Sequence, residues 1–519
     1  MGKLKRRMLH WTWPGAGFGL LLVAGMLVAG MLPAQDFEDL YPDQVITDVQ
    51  PMTGIVFWDD SGDRDTDVIS LEFSYMLYNR VVQDSGVYNW DVVDSKLDAI
   101  AARKHQAILR FRFVYPGYET SVPAYILGRE DYHETVGISE GKTTHFPDWT
   151  NEELQRFTLE FYTRFAERYD KDPRLAFIQT GFGLWAEYHI YDGPFILGGT
   201  FPSKAFQEEF FYHMASVFKN IPWSISIDAA DDTYTPFAGK PELKNIRFGL
   251  FDDSFMHKDH SSWNELEWNF FDREHYRLSP AGGEFSYYSG YDQEHVLDWP
   301  GGPYGTPFET WAENFHITYM IGNDQPGYQT MERIREAGMA TGYRFKIVSL
   351  RSAPDTAVFE ITNVGVAPIY YDAFIAVDGV RSPVSLKLLS PGDTAVCGVP
   401  AGAGGAELTI ECDKLVEGQE IQFFGTQELT GVAEPAVAGR SPGLPFPNPV
   451  GPGETMFLDG SGKAIEVNYY VYDSLGRLAL TGVSGPGVIE IPTGRLDQGT
   501  YFLKVMQDRR VSVNRFLIL

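Results

Sequence analysis

Short apolar runs alternate with amphipathic stretches from about residue 70 to residue 350. Leu71-Glu-Phe-Ser-Tyr-Met-Leu-Tyr78 reads as a strand, and behind it Val92, Val93, Leu97, Ile100 and Ala101 recur at helical spacing between Asp91 and Lys104. Ala107 to Val114 is the next strand. Thr150 ahead of Asn151-Glu-Glu-Leu154 resembles a capping-box start for a helix reaching Tyr169. Further strands are expected at Leu175–Ile178, Trp223–Asp228, Ile246–Asp253, Gly283–Ser286, Phe315–Ile321 and Phe345–Val348. Helices are expected near Ser203–Phe218 and Tyr328–Ala340. Gly54-Ile-Val-Phe-Trp58 is an additional strand candidate that would move the count by one. Eight strands separated by helices or long connections predict an α/β chain with a parallel sheet, closed as a (β/α)₈ TIM-type barrel over 35–342. An open doubly wound sheet is the alternative, but no Gly-rich phosphate fingerprint opens any helix.

The pattern changes after residue 342. Thr356–Thr362, Tyr370–Val377 and Glu407–Glu411 are short β-rich runs separated by turn residues, which predicts a small antiparallel β-sandwich over 343–428. Residues 429–443, rich in Ala, Gly and Pro, read as a linker. A second small β domain is expected over 444–519. The two cysteines, Cys397 and Cys412, both fall in the first of these β regions, where a bridge would be a structural staple; the barrel region has no thiol nucleophile.

At the other end, Lys3, Lys5, Arg6 and Arg7 precede an apolar run from about Trp11 to Leu32, and acidic residues begin at Asp36. This reads as a signal peptide over 1–34, with an uncleaved anchor as the alternative. The 42 Lys+Arg against 70 Asp+Glu leave a net charge of −28. Such a surface repels phosphate backbones, so nucleic acid is excluded as a partner. The membrane enters only through export or surface anchoring.

Two carboxylates then stand out. Thr180-Gly-Phe-Gly-Leu-Trp-Ala-Glu-Tyr-His189 closes one strand and delivers Glu187, and Gly282-Gly-Glu-Phe-Ser-Tyr-Tyr288 delivers Glu284 three strands on. Two carboxyls at the ends of strands, each among aromatic rings, suit glycosidic bond cleavage, in which one protonates the leaving oxygen and the other attacks carbon or activates water. Arg110 and Arg112, at i and i+2, face one side of their strand and are placed to hold a carboxylate ionised or to bind an acidic sugar. Candidate sugar contacts are Trp185, Tyr188, His189, Asp228, Asp252, Asp253, Tyr287, Asn323 and Asp324, with Asp231, Asp232, Trp263, Trp268 and Tyr288 nearby in sequence. Asp252, His257 and His260 form an incomplete metal-ligand set, so neither a metal nor another cofactor is expected.

Two resemblances sharpen this reading. Trp185-Ala-Glu187 resembles the acid/base strand end of the retaining-glycosidase barrels, although Ala186 stands where those barrels have Asn. Together with Arg110-Phe-Arg-Phe113, Phe251-Asp-Asp-Ser-Phe255 and Gly282-Gly-Glu-Phe285, the 181–189 segment resembles an uncharacterised family of exported glycosidase-like barrels, still called a domain of unknown function. Pro445-Phe-Pro-Asn-Pro449, Val467–Asp473 before Gly476-Arg477, Gly499-Thr-Tyr501 and the apolar end Phe516–Leu519 resemble the C-terminal sorting domain of the type IX secretion system. These resemblances imply a secreted or outer-membrane-surface glycoside hydrolase, with Glu187 as acid/base and Glu284 as nucleophile or second carboxylate. Its partners would be a poly- or oligosaccharide and the type IX machinery. The alternative is a carbohydrate-binding surface protein on a barrel that lacks catalysis.

Overall fold

The computed structural model describes residues 37–426 and, beyond them, strand and turn residues between 455 and 518. The segments expected as signal peptide and linker lie outside the described residues. Eight parallel strands close into a barrel: β1 (Gly54–Trp58), β2 (Leu71–Leu77), β3 (Gln106–Arg112), β4 (Leu175–Thr180), β5 (Trp223–Ser226), β6 (Gly249–Phe255), β7 (Ala281–Phe285) and β8 (Tyr319–Ile321). Each pairs with its neighbours in sequence, β4 with β5 and β8 back onto β1. The ring therefore opens with Gly54–Trp58, and Glu187 follows the fourth strand while Glu284 lies on the seventh.

Phe345–Val348 is not a barrel strand. It begins β9 (Phe345–Ala353), which turns directly into β10 (Thr356–Asn363) and pairs with it antiparallel. Its burial alternates between faces, whereas β4 is buried along its whole length. That difference separates a sandwich strand from one wrapped by helices.

Helices α1 (Asp91–Ala101), α2 (Glu152–Tyr169), α3 (Lys204–Val217), α4 (Asn264–Phe270), α5 (Phe308–Phe315) and α6 (Met331–Met339) belong to the crossovers. The β1–β2 connection runs through residues 59–70 without a helix, and β5 leads into 3₁₀ turns at Ile227–Ala230 and Pro241–Asn245. Asn151, not Thr150, caps α2: its side chain accepts from Leu154 N at 3.1 Å. Phe157, Phe161, Phe165 and Tyr169 recur at i, i+4 on this helix and are buried. Phe161 packs on Tyr78 and Phe111 of the barrel wall, at ring-centroid distances of 4.9 and 4.8 Å. Truncating it to Ala would cost about 3–5 kcal/mol.

Two sheets follow the barrel. One holds β9, β10 and a later strand, β13 (Thr394–Val399), with two-residue strands at Glu38–Asp39 and Phe423–Phe424; the other holds β11 (Ala373–Val377), β12 (Val380–Arg381) and β14 (Leu408–Cys412). They close the barrel's N-terminal end. Gln106 at the start of β3 donates to Lys414 O at 2.6 Å, Tyr371 Oη donates to Ala176 O in β4, and Tyr343 Oη donates to Pro51 O at 3.1 Å. The opposite, C-terminal mouth is left for chemistry. Cys397 and Cys412 sit on different sheets as buried, unpaired thiols, so no bridge joins them; burial pushes each up to about 11.

The second unit has an antiparallel sheet in the order Leu478–Ser484, Val467–Asp473, Gly499–Gln507, Arg510–Ile518, and a separate pair, Thr455–Asp459 with Val488–Pro492. Asp473 of the tyrosine-rich strand faces Tyr501 of the Gly-x-Tyr strand in register. No helix among the described residues is long and apolar enough to cross a membrane.

Candidate active site

Strand alternation decides which side chains enter the barrel. On β3, Arg110 and Arg112 both point inward. Arg110 is 1% exposed and lies between strands: its Nε donates to Gln179 of β4 at 2.8 Å, a terminal nitrogen pairs with Asp253 of β6, and its guanidinium carbon stands 4.2 Å from the centre of the Phe251 ring. Gln179 in turn donates to Tyr319 of β8 at 2.9 Å. This polar layer sits above an apolar one containing Phe73 and Phe177, and Glu284 of β7 and Tyr75 of β2 share its electrostatics.

The loop after β4 explains the Gly-x-Gly sequence. Phe182 N and Gly183 N both donate to Glu187 O, at 3.1 and 2.8 Å, and Leu184 N donates to His189 O at 3.0 Å. The chain thus doubles back on itself within a few residues. A Cβ on Gly181 would meet Ala186 O at 2.1 Å, and one on Gly183 would meet His189 O at 1.9 Å. At the tip, Trp185 and Ala186 adopt φ of 60° and 59°, a left-handed conformation that costs on the order of 1–3 kcal/mol per residue. This fold-back aims Glu187 across the mouth.

His189 stands between two carboxylates. Its Nε2 is 2.8 Å from Glu187 Oε2 and its Nδ1 is 2.9 Å from Asp228 Oδ1. The Nε2 contact is an ion-pair distance rather than an aligned hydrogen bond. Burial opposes charge on this imidazole, yet Asp228 and then Glu187 outweigh it and hold His189 well above its usual range. Burial pushes Glu187 up to about 7; His189 pulls the other way, and Asp253 and Asp228 add to the rise. Asp228 is lowered, because the His189 charge and hydrogen bonds outweigh its own burial.

Glu284 is held well above the usual carboxylate range by burial first and by the Asp253 charge second; Arg110 offsets part of this and Glu187 adds to it. One of its oxygens, Oε1, is buried with no hydrogen-bond partner. Asp253 takes the Arg110 charge, leaving Glu284 without a cation of its own. The two glutamates are close enough that the charge of Glu187 acts on Glu284.

Several expected contacts are redirected. Asp252 and Asp253 are adjacent, so strand parity sends one in and one out. Asp252 faces outward and is 1% exposed, accepting from Ser254 N, Asn264 Nδ2 and Trp268 Nε1 and lying 3.1 Å from His260 Nε2. It is a satisfied buried carboxylate, not a sugar contact, and Trp268 is buried with it. Tyr188 is also core: it is fully buried, with its ring stacked on Phe211 at 5.9 Å. Asn323 reaches the mouth, but its Oδ1 accepts from Trp58 N at 3.0 Å and so ties β8 to β1. Trp185, Tyr287 and Asp324 retain exposed surface, as do Trp263 and Tyr288. Asp231 and Asp232 are exposed on the turn beyond Asp228.

Asp252, His257 and His260 do not converge as a ligand group among the described residues. His257 Nε2 lies 2.7 Å from Asn264 Oδ1, and its Nδ1 accepts from Asp259 N. Among the described residues, ligand atoms of Glu187, His189 and Asp228 instead lie within 4.8 Å of one another. Their nitrogen and carboxylate donors suit a divalent ion, but both imidazole nitrogens already face a carboxylate. One titratable group had no sequence signal: Glu267 of α4, a half-buried carboxyl that burial, then Asp228 and Asp252, push up to about 8.

No protein-family model matches the chain, and no curated relative does. Among solved structures the chain is similar to the endo-β-1,4-mannanase from Thermotoga petrophila, at 8% identity over 91% of this chain and 98% of that one, with a TM-score of 0.32. It is similar to the GH36 α-galactosidase AgaA from Geobacillus stearothermophilus at 10% identity, covering 67% of this chain and 55% of that one, TM-score 0.32. A slighter likeness is to PorZ, a surface component of the type-IX secretion system of Porphyromonas gingivalis: 11% identity, 33% of this chain, 21% of that one, TM-score 0.14. The chain thus spans only part of the length of the last two. Likeness at this level carries no functional inference, and the barrel stands on its own strand pairing.

Proposed function

We propose that this chain is a glycoside hydrolase acting on a poly- or oligosaccharide at the C-terminal mouth of its barrel. The observation that carries the reading is the pair Glu187 and Glu284, delivered by β4 and β7 to one mouth and both held toward the protonated form by burial. Glu187 is assigned as general acid, since a carboxyl pushed up to about 7 keeps its proton near neutrality and can pass it to a leaving oxygen. Glu284 is assigned as nucleophile or base. That role needs its ionised form before the step begins, which burial and Asp253 oppose and the Arg110 charge favours. Tyr287, half exposed, and the partly buried Trp185 supply ring surface for a pyranose face.

Purified protein assayed for reducing-sugar release on a polysaccharide panel tests this, with Glu187→Gln and Glu284→Gln as controls. Each variant should lose about 10²–10⁴-fold in kcat. Full activity in either variant removes that residue's role. Glycan binding without turnover by the unaltered chain would favour the non-catalytic reading. Export through the type IX system, with release from the cell or attachment to the outer-membrane surface, is part of the same proposal, supported by the sequence motifs alone.

A further inference from the structure

Arg112 ends β3 one inward-facing position above Arg110, at the rim of the barrel mouth. The two arginines differ sharply. Arg110 is saturated by Gln179 and Asp253, whereas the Arg112 side chain has no ion-pair or hydrogen-bond partner among the described residues, and its Nε is buried and unpaired. This chain carries 70 Asp+Glu, and its mouth gathers Glu187, Asp228, Asp253 and Glu284. None of them reaches Arg112.

Aromatic rings hold the guanidinium instead. Its central carbon is 4.3 Å from the centre of the Tyr115 ring, 5.7 Å from Tyr118 and 6.0 Å from Tyr75. Trp185, from the loop that carries Glu187, meets Tyr115 edge-on at 4.3 Å. Contacts of this kind engage the flat faces of a guanidinium and leave its N–H donors, which lie in the plane, unspent. Desolvation lowers the proton affinity of Arg112, but a guanidinium stays charged at neutral pH. A half-buried, positioned cation with free donors is costly unless an anion completes it.

The geometry points to an anionic sugar subsite at Arg112, which pairs its guanidinium with a carboxylate or sulfate of the substrate while Tyr115, Tyr118 and Trp185 flank the same sugar. The inference rests on the glycan-binding reading of the barrel and names its substrate class as acidic. Carboxylate and sulfate share the chemistry, since both present paired oxygens to a guanidinium fork.

Binding is measured by calorimetry on the full chain bearing Glu187→Gln, so the result does not depend on turnover. Three probes are used: an oligouronate, its methyl ester, and a sulfated neutral oligosaccharide. The expected result is a preference for an anionic probe over the ester of about tenfold or more, collapsing in Arg112→Gln and partly kept in Arg112→Lys. The winning anionic probe distinguishes uronate from sulfate. Equal affinity for acid and ester, or a preference that survives Arg112→Gln with a native circular dichroism spectrum, overturns the subsite. A preference that obeys Arg112 in a chain that hydrolyses no glycan keeps the subsite and removes the enzyme; hydrolysis of neutral glycans alone does the reverse.

Discussion

His189 Nε2 lies 2.8 Å from Glu187 Oε2, and this contact works against burial, which raises the proton affinity of the candidate acid. Burial raises Glu187 to about 7, and the imidazolium opposes the rise. A general acid works only while protonated, so kcat/KM should fall as pH rises through about 7. His189→Gln removes a group that lowers this pKa, and the alkaline limb should then move to higher pH. A ¹³C titration of the Glu187 carboxyl checks the same direction without any substrate. A move to lower pH would show that His189 does not act on Glu187 as a cation.

Glu267 makes a separate prediction about stability. Its folded-state pKa, about 8, lies above the ordinary value of 4.5. The folded chain therefore holds a proton that the unfolded chain releases. The associated stability is fully present below about pH 4.5 and is lost as pH rises toward 8. Glu267→Gln cannot ionise, so urea denaturation should show it matching the parent near pH 4.5 and exceeding it above pH 8. The gain should be on the order of 1 kcal/mol, discounted for the partial exposure of the group. A variant equally stable at both pH values would place Glu267 in solvent.

The barrel is legible in the sequence because its inner strands are short apolar runs bounded by turn residues and helical periods. Which run opens the ring is not. Gly54–Trp58 and Phe345–Val348 are similar in composition, and only long-range pairing assigns one to β8 and the other to β10. The two glutamates are readable as strand-end carboxyls, and their three-strand separation is unaffected by that slip. Asp252 and Asp253 could not be told apart locally, because β6 changes register between Asp252 and Phe255. Tyr188 looks like a platform beside Glu187 until the loop folds back and turns it into the core. Glu267 is invisible for a further reason: its environment comes from Asp228 and Asp252, on other elements.

Arg110 and Asp253 form an ion pair inside the barrel, with Arg110 1% and Asp253 10% exposed. Removing the cation alone strands Asp253, whose Oδ1 is already buried without a partner. Arg110→Met should therefore cost about 3–5 kcal/mol in urea denaturation. Adding Asp253→Asn should recover part of that loss, because the uncompensated charge is then gone. If the single variant is as stable as the parent, the pair is solvated rather than buried.

Gly183→Ala tests whether the fold-back after β4 positions the acid. A methyl group there would sit 1.9 Å from His189 O, the atom that accepts from Leu184 N at 3.0 Å. The loop must open to admit it, carrying Glu187 and His189 with it, while the barrel strands are untouched. A shift of about 1 Å in a reacting group costs about 10²-fold in rate. The expected outcome is a loss of that size in kcat with an unaltered far-ultraviolet circular dichroism spectrum. Because the site is held by the strained pair Trp185 and Ala186, relaxing the loop should not lower the melting temperature in proportion to the lost activity. An alanine variant with full kcat would mean that Glu187 reaches its place without this loop geometry, and the positioning role of the fold-back would fall.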